Sequence, residues 1–145
     1  MKNKVSKELK RFNYLFGETD AVYHEMYLKS GLADSAGSIL YAILENGGSC
    51  LLKSICHYTG RSKQTINSAI RKLEAENIIY LKMAKGKNKM VHFTEAGQIL
   101  AKKTVGRILK AEDEIFATWS REDVEKYLQL TERYMIALKE KAKEM

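Results

Sequence analysis

The stretch Ser62–Leu73, SKQTINSAIRKL, gathers side chains whose chemistry suits the edges of nucleic-acid bases. Gln64 and Asn67 carry amides that can pair with adenine at two points. Arg71 has the fork that fits guanine, and Ser62, Thr65 and Ser68 offer hydroxyls that suit either base. Lys63 and Lys72 are better matched to phosphates. No acid occurs from Ser62 to Lys72, where one would face a polyanion. On a helical wheel Ile66, Ala69, Ile70 and Leu73 fall within about 60° of a common direction. Gln64, Asn67, Ser68 and Arg71 lie opposite, with Thr65 and Lys72 on one flank and Lys63 on the other. Alone, such a face is equally well explained as a solvated helix surface, so the neighbouring segments must decide.

A second set of polar side chains follows closely. In AKGKNK (residues 84–89) Gly86 permits a tight turn, and Lys85, Lys87, Asn88 and Lys89 surround it without an acid. Lys82 adds charge just before. The 145-residue chain has a net charge of +7, and its distribution says more than its size. Residues 53–110 hold thirteen Lys/Arg against three acids, whereas 1–52 balance and 111–145 are mildly acidic. One middle segment therefore presents a surface for a polyanion.

Other chemistries find little support. His24, His57 and His92 are scattered, and no Ser/His/Asp set, HExxH, P-loop or GxGxxG is present. An enzyme is not expected, and no cofactor is implied. Cys50 and Cys56 lack zinc-ligand spacing. Packing is the simpler role for Cys56, with redox sensing the alternative for either thiol. No apolar run approaches the length of a membrane span, and the N-terminus lacks a signal-peptide core, so a cytoplasmic protein is expected.

The elements that must position these groups can be read in order. Lys7–Lys29 is a helix with Gly17 as an internal weak point. Asp34 or Ser35 caps a second helix that buries Ile39, Leu40, Ile43 and Leu44 and stops at Asn46-Gly47-Gly48. A short helix runs from about Leu51 to Tyr58, and Gly60 makes a turn. Ser62 caps a helix running to about Glu76. Ile78–Met83 and Met90–Phe93 form a hairpin around the lysine loop. Thr94 caps one long helix over Glu95–Thr118, and Ser120 with Asp123 opens a last one. The expectation is a mainly α fold with a small β-hairpin: a helix-turn-helix followed by a ribbon, the winged-helix arrangement, with helices at both ends.

ICHYTGRSKQTINSAIRKLEAENIIYLK, the hairpin and HFTEAGQIL together resemble the winged helix-turn-helix of the MarR family of transcriptional regulators. The resemblance spans nearly the whole chain and rests on the order and spacing of Ser62-x-x-Thr65-Ile66, Leu73-Glu74 and Phe93-Thr94-Glu95-Ala96-Gly97. It implies a homodimer, held by residues 1–32 and 99–145, that sets two DNA-binding domains (residues 33–98) on a pseudo-palindromic duplex, most simply as a repressor. Residues 62–73 would be the recognition helix. The family's wing often carries an Asp-x-Arg element that this chain lacks, so its lysines are expected to hold phosphates rather than read sequence. Peroxide-sensing relatives carry their cysteine in the first helix, which here has none. Family members also bind small phenolic or lipophilic effectors beside the dimerisation helices. Phe12, Phe16, Tyr23, Tyr27 and Tyr41 are the candidates for such a pocket, although an aromatic stripe equally suits a core or a dimer interface. A dimer also follows from the residues, because the terminal stripes exceed what a small winged domain can cover. Remaining alternatives are a winged-helix protein–protein adaptor and a thiol-based redox regulator.

Overall fold

The computed structural model of the protein describes residues 4–145. Helix α1 (Lys7–Lys29) begins at Ser6, whose Oγ accepts from the Leu9 N–H at 3.0 Å. Gly17 does not break it. Its C-terminal end lays Tyr23, Met26 and Tyr27 against α2 (Asp34–Glu45), while Leu9, Phe12, Leu15 and Phe16 stay exposed. Helix α2 is the centre of the core: Ile39, Leu40 and Ile43 are wholly buried and touch elements on every side. Neither Asp34 nor Ser35 caps it. The cap position is Ala33, which makes no side-chain bond, and the Asp34 carboxylate instead meets His24 Nδ1 at 2.8 Å. A partner distant in sequence outcompeted the local one.

Gly47 and Gly48 both take positive φ, 85° and 107°, and turn the chain into a strand that the sequence did not announce, β1 (Ser49–Leu51). Helix α3 (Leu52–Thr59) ends on Gly60 at φ 66°. Helix α4 (Lys63–Ala75) follows, then β2 (Ile79–Met83) and β3 (Lys89–Phe93). The expected hairpin is therefore two strands of a three-stranded antiparallel sheet in the order β1-β3-β2, with Val91 opposite both Cys50 and Leu81. Cys50, Ile79 and Val91 face the core and are buried.

The long helix expected over Glu95–Thr118 is two, α5 (Glu95–Lys103) and α6 (Val105–Ala117). Between them Thr104 departs from helical geometry (φ −115°, ψ −91°). Its hydroxyl donates to the Leu100 carbonyl at 2.8 Å, a back-bond that bends helices, and Gly106 follows two residues later. Apolar periodicity runs through the break, so the sequence hides it. Helix α7 (Arg121–Lys143) starts at Ser120, whose Oγ accepts from the Asp123 N–H. The chain divides into two compact units, residues 1–109 and 110–145. Among the described residues no helix is long and apolar enough to cross a membrane.

Candidate nucleic-acid interface

Helix α4 is fixed at its start and along its back. Ser62 Oγ accepts from the Thr65 N–H at 3.2 Å and donates to Thr65 Oγ1 at 2.8 Å. The first turn carries no acid, so the partial positive charge of the helix start is left for an outside anion. Ile66, Ile70 and Leu73 are buried at 0, 4 and 3% exposure. Burying each contributes about 1.5–3 kcal/mol and sets the rotation of the helix about its axis. Ser62, Lys63, Gln64, Thr65, Ser68, Arg71 and Lys72 are consequently exposed, and Asn67 is half-buried.

The exposed side is a ridge with two flanks. On one flank Lys63, Asn67 and Arg71 share a groove of about 500 Å³ with Lys87, Asn88 and Lys89 of the β2–β3 loop. Leu52, Ile70 and Leu81 also line this groove, with Lys53 and Cys56 from α3 and one acid, Glu74. On the other flank Gln64, Thr65, Ser68 and Lys72 line a groove of about 710 Å³ with residues Ser30–Ala33, Ser35 and Ala36, apolar Leu73, Ile78 and Leu100, and one acid, Glu76. The residues read as one face thus divide between two grooves. The loop tip closes through Ala84 N–H to the Asn88 carbonyl at 2.8 Å, with Gly86 at φ 72°. Lys85, Lys87, Asn88 and Lys89 are all exposed there.

The far end of α4 is tied down as firmly as its start. Asn77 takes φ 60°, the left-handed region it tolerates, and lets the Ile78 N–H reach the Leu73 carbonyl at 3.0 Å. Thr94 then clasps this turn. Its N–H donates to the Ile78 carbonyl at 3.0 Å and its hydroxyl to the Asn77 carbonyl at 2.7 Å. Gly97 completes the junction, because any Cβ there would fall on the Ile78 carbonyl oxygen. Helix α4, the sheet and α5 meet at this one junction.

Two basic residues at this surface escaped the sequence reading. Lys53 is exposed beside the first groove. Arg61, half-buried between Gly60 and the Ser62 cap, donates from Nε to Ser38 Oγ at 3.3 Å. The signal for Arg61 was its place in the G-R-S turn.

The remaining candidates are placed as follows. Tyr27 is 8% exposed and lies on Gly37, where its ring leaves no room for a Cβ. Tyr23 and Tyr41 are half-buried against the same core. Phe12 and Phe16 are exposed on α1, their rings 5.9 Å apart. Both cysteines are free thiols: Cys50 is buried and Cys56 half-buried. Burial, helped by the Glu45 charge, pushes the Cys50 thiol above its ordinary 9.0. Among the described residues no group of three His, Cys, Asp or Glu could hold a metal ion.

With this geometry in place, comparison with known proteins gives a consistent answer. Residues 30–86 match the model of the MarR family. A search of curated proteins finds no match. Among solved structures the chain is similar to a MarR family regulator from Neisseria meningitidis, with a TM-score of 0.83 at 16% identity over 96% of this chain and 99% of that one. It is also similar to MepR from S. aureus, solved as a DNA complex (TM-score 0.66, 16% identity, 93% and 99% covered). NadR, solved with 4-hydroxyphenylacetate, matches at a TM-score of 0.66 and 12% identity, with 92% and 96% covered. Residues 30–86 thus match the winged helix-turn-helix of the MarR family model, and the fold of the chain from end to end is similar to that of solved MarR-family regulators.

Proposed function

We propose that the protein is a homodimeric transcriptional regulator that binds double-stranded DNA at a pseudo-palindromic operator and acts as a repressor in the cytoplasm. The observation that carries this reading is the groove shared by α4 and the β2–β3 loop. Side chains that suit bases (Asn67, Arg71) sit there beside cations that suit phosphates (Lys63, Lys87, Lys89). Gln64 and Ser68 extend the base-reading set along the ridge, with Lys72 and Lys85 adding charge around it. Residues 33–98 serve as the DNA-binding domain. Residues 1–32 and 99–145 form the dimerisation region, which is supported by the apolar side chains that α1 and α7 leave exposed.

MepR in its DNA complex shares the fold, and NadR shares it with a phenolic acid bound. By extension the effector here is a small aromatic compound taken up beside the half-buried Tyr23 and Tyr41, with Phe12, Phe16 and the buried Tyr27 around them. The decisive experiment is selection of bound duplexes from a random pool, followed by a salt titration on selected and scrambled duplex. A regulator enriches a two-fold symmetric sequence, and its affinity falls steeply with salt. An adaptor that does not read DNA enriches nothing.

A further inference from the structure

The guanidinium of Arg61 stands apart from the other cations of this surface. The residue is half-buried, and no carboxylate among the described residues pairs with its guanidinium. Among the described residues its one side-chain hydrogen bond runs from Nε to Ser38 Oγ. Ser38 is free to accept because its own hydroxyl proton is given to the Asp34 carbonyl at 2.8 Å. Asp34, the nearest acid along α2, is occupied by His24. The Arg61 N–H is held as well, by Thr59 Oγ1 at 3.3 Å. Backbone and side chain are thus both oriented, and the terminal nitrogens have no protein partner among the described residues. The next residue is Ser62, the cap of α4, so Arg61 is joined directly to the start of that helix.

We propose that Arg61 is a DNA-phosphate-binding residue, and that Ser38 is the positioning residue that presents it. The inference rests on the DNA-binding reading above. A cation that loses solvation without gaining a counter-charge is completed by an anion. A planar fork gripped at Nε can still offer its terminal N–H groups to phosphate oxygens. Because Ser38 already holds the side chain, binding orders less of it than an exposed lysine would require. The contact carries no sequence information. It sets where α4 enters the groove, from which Asn67 and Arg71 reach the bases.

The test measures binding of the full chain to a selected and to a scrambled duplex across a range of salt. Arg61→Gln shortens the side chain but places its amide nitrogen where Nε stands, so it keeps a donor for Ser38 while removing the charge. We expect it to fold with a native melting temperature and to lose about tenfold in affinity for both duplexes. Its salt slope should fall by about one. Arg61→Lys restores the slope but only part of the affinity, since lysine cannot hold Ser38 and a phosphate together. Ser38→Ala weakens binding several-fold with the slope unchanged, which a merely structural serine would not do selectively. Native slope and affinity in a folded Arg61→Gln protein, while Lys87→Ala still lowers both, would overturn this inference and leave the DNA-binding reading standing. If the unaltered chain bound neither duplex, both would fall together.

Discussion

Helices α4 and α7 are both amphipathic, yet the chain treats them in opposite ways. Helix α4 has thirteen residues and buries three of them within its own chain. Helix α7 has twenty-three residues and buries none, leaving Tyr127, Leu128, Leu130, Tyr134, Met135, Ile136 and Leu138 exposed. An apolar stripe must be covered by something. Core side chains of one chain hold α4 rigidly, which suits an element that must present side chains at fixed positions. On the proposed dimer the cover for α7 is a second copy, so that helix would be completed only by assembly. One helix is finished by folding; the other, on that reading, is finished by dimerisation.

This contrast can be broken most severely at the α4 junction. Gly97→Ala drives a methyl group into the Ile78 carbonyl, where only backbone movement can relieve it. The expected cost is about 3 kcal/mol or more in urea unfolding. Ile66→Ala, which empties a fully buried site, should cost about 2–5 kcal/mol by the same measurement. Loss of DNA binding then follows from loss of fold. The matching change on α7, Leu128→Asp, should leave the melting temperature of dilute protein nearly unchanged. If α7 forms the proposed dimer, sedimentation should show the variant shifted to monomer, and its melting temperature should lose the concentration dependence expected of a dimer. A destabilised monomer would mean that α7 is covered within one chain.

Smaller effects sharpen the picture of the α4 surface itself. Arg71→Ala should cost about 1–3 kcal/mol on the selected duplex and relax preference at one position per half-site. Lys87→Ala should weaken all duplexes alike and lower the salt slope by about one. The smallest change concerns Cys50. With its folded thiol raised above 9.0, the native state keeps a proton that the unfolded chain gives up first. Stability from this source is complete below that pH and declines above it. Cys50→Ser should flatten that alkaline decline in urea titrations, and Cys56 should alkylate well before Cys50.

What the sequence disclosed was what nearby residues decide. Ser62, the Ile66–Ile70–Leu73 spacing and Gly60 specify α4 within a few positions. The lysine loop and its flanking strands were equally plain. Partners distant in the chain were not legible. Strand β1 is three residues, Ser-Cys-Leu, with no strand-like composition, and exists because it pairs with Met90–His92. Asp34 looked like a helix cap until His24 claimed its carboxylate. The break at Thr104 lies inside an unbroken apolar rhythm, because the hydroxyl that bends it leaves the pattern of buried positions intact. The division of the α4 surface into two grooves depends on what packs to either side, so a helical wheel cannot draw it.

Strand β1 also bears on how this scaffold could be remodelled. It pins the root of the wing from the side opposite β2, so the sheet base is held by two neighbours whatever happens at the apex. Beyond the Ala84–Asn88 bridge only the residues around Gly86 remain, and their backbone supports nothing else. The apex is therefore a replaceable cassette on a fixed mount. If the wing holds DNA as proposed, lengthening it, or exchanging its lysines for arginines, would retune its reach and grip on the duplex without disturbing the fold beneath.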